Sequence, residues 1–281
     1  MKKLISKYPV SSFFVIAIVF SWIAVMPKVL NPALSPEPFM ILGALAGPTL
    51  SAVIVTAVTE GKAGLGAFFR RWVQFRAGIV WWLIVLFGIL AGLTITAALI
   101  LGSSVLTKFM QDIGLILPAY LVTLVAGVIL GPLFEEPGWR GFALPRTQEK
   151  YGSVAASVTL GVIWAVWHAP GYLGGWMGSS FAALLVYCIG FSILATWIYN
   201  NTRGSILLMI LLHSSSNAAI SVGIKVLPAD LSPAMHSLVY GGWVPAIMGA
   251  AAAILVFIFT RGNLGYQNNK PAAIKAAVQN I

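Results

Sequence analysis

Eight apolar runs, each long enough to cross a bilayer, constrain this chain more than any other feature: residues 10–27, 39–58, 78–101, 115–136, 153–173, 180–199, 205–226 and 242–260. A membrane-spanning helix needs about 20 mostly apolar residues, and hydrocarbon offers no partner for a free backbone N–H or C=O. Successive runs of that length form α-helices, so the expected fold is an all-α polytopic bundle of about eight transmembrane helices. Composition agrees, with 59% hydrophobic and 9% charged residues, where soluble domains carry about 25% charged residues. Residues 1–260 read as a single integral-membrane domain and 261–281 as a polar cytoplasmic tail, with a short helix expected near 272–278. The first run follows Lys2, Lys3 and Lys7 as a secretory signal would. It is long and lacks a small-x-small cleavage site before Pro27, so it reads as a retained helix.

The net charge of +10 would suggest a nucleic-acid partner in a soluble protein. Here it fits the retention of Lys and Arg in cytoplasmic loops, and no nucleic-acid partner is expected. With the N-terminus inside, the inside segments hold Lys2, Lys3, Lys7, Lys62, Arg70, Arg71, Arg76, Arg140, Arg146, Lys150, Arg203, Arg261, Lys270 and Lys275. The outside segments hold Lys28, Lys108 and Lys225, a split of 14 to 3. Both termini are therefore expected on the cytoplasmic face of a multi-pass cell-membrane protein. The basic and aromatic segment 64–76 reads as an interfacial stretch lying at the headgroups. Cys188, the one cysteine, excludes an intrachain disulfide and a CxxC motif. No internal repeat is evident, which disfavours a transporter built from duplicated halves.

Charged groups inside a bilayer are costly and persist when paired or facing a protein cavity. The fourth run carries Glu135-Glu136-Pro-Gly-Trp-Arg140, the fifth Trp164-Ala-Val-Trp-His168 and the seventh His213-Ser-Ser-Ser-Asn217. Glu135 and His168 flank the turn signal at 150–153 almost symmetrically, so in a helical hairpin each lies within ~24 Å of that turn at ~1.5 Å per residue. His213, ten residues past Arg203, lies roughly 15 Å in by the same rise. The three groups can thus meet inside the bilayer, reached from the cytoplasmic side, provided the fourth helix continues past Glu136. Positions i and i+4 share a helix face, which joins Glu136 to Arg140, Trp164 to His168 and His213 to Asn217, and turns Glu135 away from the Glu136–Arg140 pair. Pro137 either kinks the helix or ends it.

A free carboxylate beside a histidine in a dry cavity can act as general base on water. A second histidine with an asparagine one turn on can stabilise the oxyanion formed when water attacks an amide. The set suits peptide-bond hydrolysis within the membrane, while GxSxG, paired aspartates and HExxH are absent. Three other readings use the same residues: a pocket that binds or neutralises a peptide without cutting it, as a bacteriocin-immunity protein would, a zinc-dependent membrane protease, and a proton-coupled transporter.

The order Glu-Glu-x-x-x-Arg, aromatic-x-x-x-His and His-x-x-x-Asn resembles the CPBP (Abi) intramembrane proteases, which include the type II CAAX prenyl endopeptidases such as the eukaryotic Ras-converting enzyme. The resemblance covers about 115–226, taken as the catalytic core, and segment 70–76 before Trp81-Trp82 is similar to one common in that family. It implies an eight-span core in which Glu135 activates water with His168 as partner. His213 and Asn217 would form the oxyanion site, with Glu136, Arg140 and Trp164 in support. It also implies a metal-free mechanism without cofactor, zinc being the alternative, and a peptide or prenylated protein as substrate. Two positions depart from the family pattern: Trp164 stands where Phe is common, and Pro137-Gly138 lies inside the first motif.

Overall fold

The computed structural model of the protein describes residues 2–178, 180–223, 227 and 231–267, which are helical with no strand. The helix expected at 272–278 and the end of the run 205–226 lie outside the described residues. Eight helices are long and apolar enough to cross a membrane, so this is a multi-pass membrane protein. They are α1 (Pro9–Leu30), α2 (Glu37–Val73), α3 (Ile79–Leu101) and α4 (Ile113–Leu130). After the non-spanning helix α5 (132–151) come α6 (Ser153–Leu173), α7 (Phe181–Asn201), α8 (Ile206–Gly223) and α9 (Trp243–Thr260). Short helices Lys2–Lys7, Ser104–Gln111 and Pro233–Tyr240 lie between or before the spans.

The outer surface explains why the fold belongs in lipid. Leu99 is 83% exposed and Phe259 86% exposed, a pattern that water would penalise and hydrocarbon does not. Between helices the packing uses small residues. A Cβ on Gly161 would meet the backbone of α7 at Ile189, and one on Gly190 would meet α9 at Gly249, so the helices touch nearly backbone to backbone.

One sequence expectation is corrected. The fourth span does not run to Glu136: it ends at Leu130, the chain turns at Gly131, and a new helix begins at Pro132. Proline fits the first turn of a helix because its missing N–H would have no intrahelical partner there. Of the stretch 64–76, residues 64–73 continue α2 beyond a break at Gly61, where φ is 64°, and residues 74–76 lie outside the helix.

Pro137 neither ends α5 nor stops it short. The helix widens to a π-helix over Pro137–Ala143 and returns to α at Leu144–Tyr151. Such turns are rare and often sit at functional sites. A second π-helix, Leu45–Thr49 in α2, packs against it. Gly138 permits the approach, since a Cβ there would lie 2.5 Å from the Pro48 carbonyl, and Thr49 Oγ1 donates to Phe134 O at 2.5 Å.

One end of the bundle is tied together by hydrogen bonds. Arg146 pairs with Glu60, and Gln148 Nε2 donates to Asn200 Oδ1 at 3.1 Å. Ser153 Oγ donates to Asn263 O at 2.8 Å, and Gln74 Nε2 to Arg203 O at 3.1 Å. The basic segments 60–76, 146–153, 199–205 and 260–265 therefore meet at one end, and the connections 31–36, 174–178 and 231–242 lie at the other.

Candidate active site

Helix α5 places two adjacent carboxylates on different sides of itself. Glu136 points inward and is fully buried. Its Oε1 accepts from Arg140 Nη1 at 2.8 Å and from His213 Nδ1 at 2.9 Å. Arg140, 1% exposed, also donates through Nη2 to Ser192 Oγ at 3.1 Å. Its guanidinium lies 4.9 Å from the Trp164 ring centre and 5.4 Å from that of Phe191. A buried charge is tolerable when paired and enclosed in this way. The pair expected at i and i+4 is thus present, and it takes in His213 as a third member.

Glu135 is turned away from that cluster, as its position one residue earlier requires. Its Oε2 accepts from Trp164 Nε1 at 2.9 Å. Its other oxygen faces Gly131, where a Cβ would come within 2.8 Å of Oε1. Trp164, which the resemblance placed in support, is therefore the direct partner of this carboxylate.

His168 caps the end of helix Ser153–Trp167. Its Nδ1 lies 2.8 Å from Trp164 O. A carbonyl oxygen can only accept, so Nδ1 carries the proton and a neutral His168 keeps a lone pair on Nε2. The same logic makes His213 Nδ1 a donor to Glu136. Asn217, one turn beyond His213, is exposed and makes no side-chain hydrogen bond among the described residues, so it does not serve to hold helices together.

The intervening serines do hold helices together. Ser214 Oγ donates to Leu124 O at 2.6 Å, Ser215 Oγ lies 2.6 Å from Tyr120 Oη, and Ser216 bonds Tyr187 Oη. These contacts lock α8 to α4 and α7 and so fix the rotation of His213 and Asn217. Tyr120, Tyr187 and Ser192 were not singled out from sequence. Each is a polar group inside an apolar run, which was the available signal.

Glu135, Trp164, His168, His213 and Asn217 line one cavity of about 360 Å³. Arg140 and Glu136 lie behind its wall and do not line it. The cavity extends to Met40, Tyr172, Met177, Tyr240 and Pro245. No residue of 60–76, 141–153, 199–205 or 260–267 contributes to it. The site therefore faces the end of the bundle opposite the basic segments. This corrects a joint expectation, because termini on the cytoplasmic face and a site reached from that same face exclude one another.

Among the described residues, no group of three or more His, Cys, Asp and Glu side chains is placed to hold a metal ion. Glu135, His168 and His213, the set considered for zinc, are instead engaged separately with Trp164 Nε1, Trp164 O and Glu136.

Comparison with known proteins falls on this same region. Residues 117–219 match the family described as type II CAAX prenyl endopeptidase Rce1-like. A curated relative, CAAX prenyl protease 2 of Methanococcus maripaludis, is 31% identical over 98 residues, a match covering 31% of this chain. The match takes in 35% of that relative's length. The likeness that the three motifs carry is thus found over the segment that holds all three motifs.

Proposed function

We propose that this protein is a glutamate-dependent intramembrane endopeptidase of the cell membrane. The observation that supports it is the division of labour between the two carboxylates. Glu136 Oε1 is engaged by Arg140 and His213 behind the cavity wall, whereas Glu135 borders a cavity shared with His168, His213 and Asn217. Glu135 takes a proton from water as the water oxygen attacks the amide carbon, and His168 Nε2 accepts a hydrogen bond that orients that water. The developing oxyanion is held by Asn217 Nδ2 and by His213, whose Nδ1 lies against the Glu136 carboxylate. Glu135 then returns its proton to the leaving amine as the C–N bond breaks.

The reaction needs no metal or other cofactor. Partners are the bilayer and a peptide-bearing substrate; a prenylated CAAX-type tail and a small unprenylated peptide are the two classes the likeness implies. The test is cleavage of both by detergent-purified wild type and Glu135→Gln, with and without a chelator. Chelator-resistant cleavage that the variant loses is the expected result. Cleavage by folded Glu135→Gln overturns the role of Glu135, and activity that chelation removes and zinc restores overturns the metal-free mechanism.

A further inference from the structure

The two ends of the bundle differ in charge as much as in structure. Lys2, Lys3 and Lys7 sit on a short helix packed against residues 50–70 of α2, and the other described cations of the larger group, buried Arg140 apart, belong to segments at the hydrogen-bonded end. Among the described residues, the cavity end carries Lys28 and Lys108, matched in number by Glu37 and Asp112. Of these, Lys28 Nζ donates to Pro32 O at 2.7 Å and Lys108 pairs with Asp112 at 2.9 Å. Segments rich in Lys and Arg stay in the cytoplasm during insertion, and acidic residues weigh little in that choice.

We infer that the catalytic cavity opens on the non-cytoplasmic face, so that its substrate is an apolar peptide segment presented at that face. This rests on the endopeptidase reading above and adds a side and a chemistry to it. The chemistry comes from the mouth, where Met40, Tyr172, Met177, Leu184, Tyr240 and Pro245 surround the approach and Glu135 is the one carboxylate among the lining residues. A segment with charged residues next to its scissile bond would lose their hydration there without gaining a partner. A tail anchored in the cytoplasmic leaflet would meet the sealed end, where Arg146, Gln148, Ser153 and Gln74 join the helices.

Sidedness can be read without activity. Cys188 is the only cysteine and is fully buried, so the wild type supplies the background for labelling with a membrane-impermeant maleimide in intact cells. Ser35→Cys and Gly178→Cys, exposed at the cavity end, should label in intact cells. Lys62→Cys and Lys150→Cys, exposed at the basic end, should label only after permeabilisation. The reverse pattern, or equal labelling at both ends, overturns the inference.

A second measurement addresses the substrate. An impermeant peptide with an apolar cleavage region and a charged tag should be cut by right-side-out vesicles and spared by inside-out ones, and the opposite preference overturns the inference. Absence of cleavage in detergent, where both faces are open, would instead count against the endopeptidase reading while leaving the labelling result standing.

Discussion

The halves of the bundle on either side of α5 solve opposite problems with similar residues. Towards the basic end, polar groups are spent on one another: Arg140 on Glu136 and Ser192, Gln148 on Asn200, Ser153 on Asn263. Towards the other end, Glu135, His168 and Asn217 present polar atoms to an open cavity. Two neighbouring glutamates thus differ in purpose because one lies on each side of this divide. Burial and pairing make a structural residue, and burial with one open side makes a reactive one.

Substitutions can break that contrast in a graded way. Glu135→Gln should lower cleavage by about 10²–10⁴-fold, the usual contribution of a general base, with an unchanged thermal midpoint in detergent. Arg140→Ala should do the reverse and destabilise the fold by about 3–5 kcal/mol, because it strands a buried carboxylate. Thermal unfolding reads this, and a wild-type midpoint would show that the pair contributes nothing. Gly131→Ala pushes a methyl towards Glu135 Oε1, and a misplacement near 1 Å can cost about 10²-fold in rate. Steady-state kinetics should show that loss in kcat with little change in stability.

Trp164→Phe keeps the ring but deletes the N–H that Glu135 accepts. It should cost about 1.5–3 kcal/mol of activation free energy, the range for a hydrogen bond to a charged group. Glu60→Gln, at the exposed pair with Arg146, should change stability by less than about 1 kcal/mol and leave cleavage intact. A larger effect would mean that the basic end communicates with the site.

Much of this arrangement was legible in the sequence because the bilayer leaves few choices. Apolar runs give helices, so all eight spans were found, and helical spacing alone paired Glu136 with Arg140. The end of the fourth span was misplaced because hydropathy does not register a break as brief as Gly131-Pro132. The His213–Glu136 and Trp164–Glu135 contacts join different helices, and no local period encodes those. Trp164 shows what that omission concealed: of the two rings, Trp here and the more common Phe, only the indole can donate to the carboxylate. The side from which the site is reached was also hidden, since depth along a helix does not say which way a cavity opens.

The π-helix over Pro137–Ala143 leaves the two ends of α5 out of phase with a regular α-helix. Each residue of an α-helix advances the side chains by about 100°, so the wider turn offsets everything beyond it against everything before. Glu135 and Glu136 are set by one phase, and Arg146 and Gln148, which reach Glu60 and Asn200, by the other. Deleting one residue between Gly138 and Ala143 would restore a single phase, and α5 could then keep its seat in the cavity wall or its seat at the basic end, but not both.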